Sequence, residues 1–180
     1  MMNGRTKSAV TLLALAVMTI GTTVLAQARV SAASCFIETD ADGDYVWRDG
    51  IANLSSGLGW RPRVVRCPIS DSVERPRTTI ASARISVVDG NNQFGAIHNF
   101  QGRVCLSPAS FSTTELAPIC SPMVELNAGT TTGTRELILP ASMIDVLRDG
   151  TRWWFPATLI VQVPANNGWP SVLRGYEFFY

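Results

Sequence analysis

The segment Glu38 to Gly50, ETDADGDYVWRDG, places carboxylates at Asp40, Asp42 and Asp44 in strict alternation, with a further one at Asp49. Alternating carboxylates are the raw material of a calcium site, because the ion takes about six to eight oxygen ligands. An EF-hand loop would add glycine at its sixth position and a bidentate glutamate at its twelfth. Counted from Asp40, those positions hold Tyr45 and Ile51, so the EF-hand pattern fails. What remains is a looser calcium set of Asp40, Asp42, Asp44 and Asp49, set against a solvated acidic turn in which Asp42 and Gly43 reverse the chain before a strand at Tyr45 and Trp47. The turn is the expectation. No cofactor is expected, and calcium is the one ion with a candidate ligand set.

Catalytic constellations are sparse. A hydrolase triad needs an imidazole poised against a nucleophile, and His98 is the only histidine. It shares the parity of Ala96, Phe100 and Val104, which makes it a core or edge residue with hydrogen-bonded ring nitrogens rather than a base. No G-x-S-x-G elbow is present, since SSGLG has Gly57 and Gly59 with only leucine between them. A glycosidase would need two carboxyls at a defined separation, and nothing marks a pair among Glu38, Glu74, Glu115, Glu125, Glu136 and Glu177. No glycine-rich phosphate loop appears, so no enzymatic activity is expected.

Aromatic planes beside polar groups are the means by which a β-domain holds sugars. Neighbouring strand residues face opposite ways, so Trp153 and Trp154 cannot share one core. With the odd face buried, Trp154 points outward beside Thr158 and Gln162. Trp169 in NNGWP and Trp60 between Gly59 and Arg61 complete the candidate set.

The elements that must position these residues begin after an apolar leader. Arg5 and Lys7 precede an uncharged run, SAVTLLALAVMTIGTTVLA, and the small-residue triplet Ala26, Gln27, Ala28 follows. That is the arrangement of a secretory signal peptide over residues 1–28, placing the protein in a secreted or periplasmic setting. A membrane anchor is the weaker reading, because Gly21, Thr22 and Thr23 dilute the apolar run. A lipid anchor on Cys35 is weaker again, since the run ends well before AASC. Residues 29–180 then form one domain of ordinary size.

Lys7 is the only lysine, so residues 29–180 carry 13 arginines against 14 acidic residues. No basic field exists to attract nucleic acid. Arg61, Arg63, Arg66, Arg75, Arg77 and Arg84 cluster in sequence, and the expectation is that they spread over both faces of strands; an anion or acidic-polysaccharide patch is the alternative. All four cysteines lie beyond the leader, and an even count in an oxidising compartment argues for two disulfides. Cys35 with Cys67 and Cys105 with Cys120 is the expected pairing, because each pair brackets one hairpin-sized stretch. Zinc is not expected, for want of a C-x-x-C pair and of a second histidine.

Periodicity is two-residue almost throughout. Trp153, Phe155, Ala157, Leu159, Val161 and Val163 form one apolar face, as do Ala81, Ala83, Ile85 and Val87. DGNN, from Asp89, reads as a turn. Further strands are predicted at 44–54, 60–67, 96–106, 122–127, 134–139 and 171–180. One helix is plausible in LPASMIDVLRDG, capped by Ser142, with Asp145 in its first turn and Gly150 as its stop. The fold class is all-β, an antiparallel β-sandwich of jelly-roll or Greek-key type with one short connecting helix.

The stretch carrying Cys35, Tyr45, Gly50, Ile51, Asn53, Ser55, Cys67, Pro68 and Ile69 resembles a loose group of exported bacterial proteins of unknown function. The shared pattern is a cysteine, G-I-x-N-x-S, a V-x-C-P-I strand end and a V-x-V-x-D strand that ISVVDG matches. The resemblance implies a secreted β-sandwich and brings no substrate or catalytic residue. That group carries a cysteine where LIVQVP has Gln162, so its second disulfide does not transfer. The expected function is a non-enzymatic binding or structural module that recognises a cell-surface glycan or protein. A calcium-dependent adhesion module is one alternative. A small outer-membrane barrel, suggested by Tyr176, Phe178 and Tyr180 on the last strand, is the other.

Overall fold

A computed structural model of the chain describes residues 27–37, 45–47, 50–53, 62–90, 98–107, 117–126, 132–152, 155–164 and 170–180. They form β1 (Gln27–Ser31), β2 (Phe36–Ile37), β3 (Tyr45–Trp47), β4 (Gly50–Asn53), β5 (Arg63–Ile69), β6 (Ser82–Asp89), β7 (Gln101–Leu106), β8 (Ile119–Cys120), β9 (Val124–Glu125), β10 (Gly133–Ile138), α1 (Ala141–Leu147), β11 (Ala157–Val163) and β12 (Ser171–Phe179).

All strand pairs are antiparallel and divide into two sheets. The first runs β10-β6-β12-β4-β3, with β1 also on β12; the second runs β2-β5-β11-β7-β8, with β9 also on β7. From β4 through β7 the chain changes sheet at each step, and it does so again from β9 through β12. Sequence neighbours therefore face one another across the sandwich, and the hydrogen-bonded partners are distant in sequence.

Alternation along the strands makes the core. Ala83, Ile85 and Val87 of β6 and Leu173, Tyr176 and Phe178 of β12 are buried from one side. Val65, Cys67 and Ile69 of β5, Val104 and Leu106 of β7, and Leu159, Val161 and Val163 of β11 meet them from the other. The aromatic face of the last strand is thus internal. On β12 the inward parity changes from odd to even because the register shifts between Leu173 and Gly175, leaving Arg174 at a bulge.

That bulge lets two short strands share one edge of β12. β4 pairs with Ser171–Leu173 and β1 with Gly175–Phe179. Both approaches are close enough to demand glycine. A Cβ on Gly50 would lie 2.4 Å from the Leu173 carbonyl oxygen, and one on Gly175 would lie 2.5 Å from that of Val30.

Both expected disulfides are present, Cys35–Cys67 and Cys105–Cys120. Cys105 stands directly opposite Cys120 in the β7–β8 ladder, and Cys35 continues the β2–β5 register opposite Cys67. Each bond fastens a two-residue edge strand to its longer neighbour, so the second sheet is covalently pinned at both edges.

The helix differs from expectation at both ends. Pro140 occupies the N-cap with no side-chain bond, so Ser142 lies inside the helix rather than capping it, and Asp145 falls beyond the first turn. Gly150 opens a 3-10 turn, Gly150–Arg152, instead of stopping the helix. The C-terminal carbonyls are taken up by a buried arginine. Arg77 donates from Nη1 to the Leu147 carbonyl and from Nη2 to those of Asp149 (3.2 Å) and Arg152 (2.6 Å). A cation at a helix C-terminus also complements its partial negative charge. No helix of the described residues is long and apolar enough to cross a membrane.

Candidate functional site

The residues of the shared pattern are structural wherever they are described. Gly50 admits β12, Ile51 is core, and buried Asn53 donates from Nδ2 to the Val163 and Pro164 carbonyls (3.2 and 3.0 Å), tying the first sheet to the second. Cys67 makes a disulfide, and the Pro68 carbonyl accepts the Tyr176 hydroxyl across the sandwich. These positions specify the fold, which leaves the solvent faces of the sheets to be searched for chemistry.

The outer face of the first sheet carries a row of charges set by register. Arg29 of β1 stands opposite Glu177 of β12, and Glu177 stands opposite Arg84 of β6. Arg29 Nε donates to Glu177 Oε1 at 3.1 Å, and Arg84 Nε donates to Oε2 at 2.5 Å. Arg84 Nη1 also donates to Glu136 on β10. Burial raises the Glu177 pKa, but the Arg84 and Arg29 bonds outweigh it and hold the carboxyl below the usual carboxylate range. The Arg84 guanidinium also lies over the Phe179 ring, 5.0 Å from its centroid.

Beside this row is a groove of about 340 Å³ lined by Arg29, Ser31, Arg84, Ser86, Glu136, Arg174, Gly175 and Glu177, among others. Its depth has a local cause. Ser86, Gly175 and Ser31 are in register across β6, β12 and β1, so two small hydroxyl side chains and a bare backbone lie between larger neighbours. Arg174, at the bulge, is exposed and makes no ion pair among the described residues. A second hollow of about 310 Å³ shares Arg84 and Glu136 and adds the apolar Ile138 and Phe179. The arrangement offers guanidinium donors, carboxylate acceptors and hydroxyls on a rigid sheet, next to an apolar ledge.

The metal and ligand candidates drawn from sequence are not among the described residues: Asp40, Asp42, Asp44 and Asp49, like Trp60, Trp154 and Trp169, lie outside them. Among the described residues there is no group of three or more histidine, cysteine, aspartate or glutamate side chains placed to hold a metal. His98 lies in the turn ahead of β7, partly exposed, and Phe100 continues into the core while Asn99 is buried. The arginines clustered in sequence do disperse. Arg77 is internal, Arg75 reaches the Gln27 carbonyl at 3.0 Å, and Arg84 alone of them reaches the groove. Arg61 lies outside the described residues.

Sequence reading missed Arg29 and Arg174 altogether and passed over Glu136 and Glu177 as unpaired glutamates. One available signal was Glu177 itself, a carboxylate between the inward Tyr176 and Phe178 on a strand, which must therefore face outward. No known protein-family model matches the chain, and no curated protein matches it in sequence.

Proposed function

We propose that the protein is an exported, non-enzymatic recognition module and that the outer face of its first sheet is the surface that meets a cell-surface ligand. The observation carrying this reading is the groove over Ser86, Gly175 and Ser31, ringed by a fixed Arg29–Glu177–Arg84–Glu136 network. Export is inferred from the leader over residues 1–28 and accords with the two disulfides. The resemblance to exported β-sandwich proteins points the same way. A membrane barrel is less well supported, because such a barrel turns apolar side chains outward, whereas here the charged row faces out and the apolar faces pack together.

The test is capture of the purified, oxidised protein by a panel of polysaccharides and isolated cell envelopes, run with calcium and again with chelator. Capture that survives chelation and is lost in Arg174→Glu supports the groove. Capture lost on chelation transfers the role to Asp40, Asp42, Asp44 and Asp49. Capture unaffected by Arg174→Glu but lost in Trp154→Ala or Trp169→Ala, at unchanged melting temperature, transfers it to the tryptophans.

A further inference from the structure

We propose that the groove is a site for a singly charged acidic sugar, the carboxylate of a uronic-acid unit in an extracellular polysaccharide; this rests on the recognition reading above. The charge balance supplies the first argument. Arg29, Arg84 and Arg174 line the groove with Glu136 and Glu177, leaving one positive charge in excess among these residues. Arg84 is occupied on two sides, by Glu177 and Glu136, and Glu177 is shared with Arg29. Among the described residues the uncompensated cation is Arg174, which has no acidic partner there. One bound carboxylate balances the excess among these described side chains, whereas a phosphate near two negative charges would exceed it.

Donor geometry supplies the second argument. Arg29 spends only Nε on Glu177, so its terminal nitrogens keep their donors, and its side chain is 72% exposed. A guanidinium fork matches a planar carboxylate with two parallel hydrogen bonds. Ser86 puts a hydroxyl on the floor, where a sugar's ring hydroxyls need partners; the Ser31 Oγ beside it accepts from the Ala33 N–H at 3.2 Å and keeps its O–H to donate, and Glu136 offers an acceptor at the rim. Ile138, 74% exposed, and Phe179 give the adjoining hollow an apolar ledge of the kind a pyranose ring covers with its C–H face. The groove lies across β-strands linked by a chain of bridging salt bridges, so its donors are held in place before the ligand arrives.

The experiment uses the oxidised protein in its exported form, and oligogalacturonate as the probe. Binding is measured by calorimetry against the same oligomer methyl-esterified, a neutral glucan oligomer and a sulfated oligomer, at low and high salt. The acid form should bind, and its methyl ester should bind about tenfold or more weakly, the loss of one charge-assisted pair. Arg174→Ala should weaken acid-form binding by a similar factor at unchanged melting temperature, because that side chain makes no bond among the described residues. Glu136→Gln should tighten it by removing a rim carboxylate, and high salt should weaken it. Equal affinity for acid and ester, or no effect of Arg174→Ala, overturns the proposal. A sulfated oligomer preferred over the carboxylated one overturns the carboxylate assignment. Loss of a neutral glycan or envelope ligand in Arg174→Glu, without any acidic preference, overturns this inference alone, whereas capture indifferent to every groove variant overturns the recognition reading with it.

Discussion

Glu177 and Arg84 face each other on neighbouring strands, Nε to Oε2 at 2.5 Å, on the solvent side of a sheet whose other side is core. The pair is unusual in having only 5% of the Glu177 side chain exposed, although it sits on an outer face. Two arginines cover the carboxylate, so the charge is buried by its own partners.

The first prediction follows from that cover. A carboxyl held below its ordinary range contributes stability that is full above the unfolded pKa and is lost as pH falls through the folded one. Glu177→Gln should therefore cost about 1 kcal/mol at neutral pH, after allowance for solvent screening of the partly exposed arginines. It should also flatten the acid limb. Urea unfolding from neutral pH to below the carboxylate range would show wild type and variant converging. Parallel curves would mean that the network contributes nothing to stability.

A second prediction concerns the pinned edges of the second sheet. Strands β2 and β8 are two residues long, too short to hold station by backbone hydrogen bonds alone. The chain-entropy model assigns about 3 kcal/mol to the Cys105–Cys120 closure and about 4 kcal/mol to Cys35–Cys67, the longer loop. Replacing either pair by serine should raise amide exchange at its own edge, β8 or β2, while the opposite edge stays protected. Exchange rising equally at both edges would show that the disulfides act globally and not as local fasteners.

Why these edges were legible in part, and the groove hardly at all, is a matter of range. Inward parity on β6, β11 and the end of β12 could be read because it is written in consecutive residues, and the cysteine pairing because each pair closes one local excursion. Gly50, Ile51, Asn53, Cys67 and Pro68 stand out in the sequence, and their roles in the structure are close approach, core, disulfide and inter-sheet bonds. β1 was hidden because Gln27 and Ala28 read as a processing site, although they pair with Phe179 and Phe178. The groove combines β1, β6, β10 and β12, whose adjacency depends on sheet order that no local pattern encodes. Arg174 faces it only because of a bulge, and a bulge defeats the alternation on which strand reading depends.

Arg77 supports a third prediction. Its side chain is fully buried, forks to three carbonyls at and beyond the end of α1, and has Asp71 Oδ2 3.4 Å from Nε. Asp71 Oδ1 accepts from the Arg77 backbone N–H at 2.9 Å, which fixes the connector between β5 and β6. Arg77→Met should cost about 3–5 kcal/mol, since it strands the carbonyls and leaves Asp71 without its cation. Arg77→Lys should recover only a part, because one ammonium cannot reproduce the planar fork. Denaturant midpoints for both variants check the ranking, and a Lys variant equal to wild type would reduce the role of Arg77 to charge alone.

The last prediction concerns the polar tie between the sheets at Tyr176. Its ring lies in the core, 2% exposed as a residue and edge-on to Phe178 at 5.6 Å, while its hydroxyl donates to the Pro68 carbonyl of the opposite sheet and lies 3.4 Å from Ser34 Oγ. Burial pushes the phenol up, and the Ser34 hydroxyl offsets only part of that rise. Above the ordinary tyrosine range the unfolded chain ionises first, so stability is full below the unfolded pKa and is lost as pH rises through the folded one. Tyr180 is raised chiefly by burial too, with Arg75 opposing and Asp71 reinforcing the rise, so both residues contribute to the alkaline limb. Tyr176→Phe should cost about 1–2 kcal/mol at neutral pH by leaving the Pro68 carbonyl without its donor. The difference from wild type should then shrink as pH climbs through the tyrosine range, because the variant has no phenol to keep protonated at this position. Chemical unfolding at a series of alkaline pH values measures that difference directly, and a gap that stays constant or widens would show that the Tyr176 hydroxyl is not held neutral by the fold.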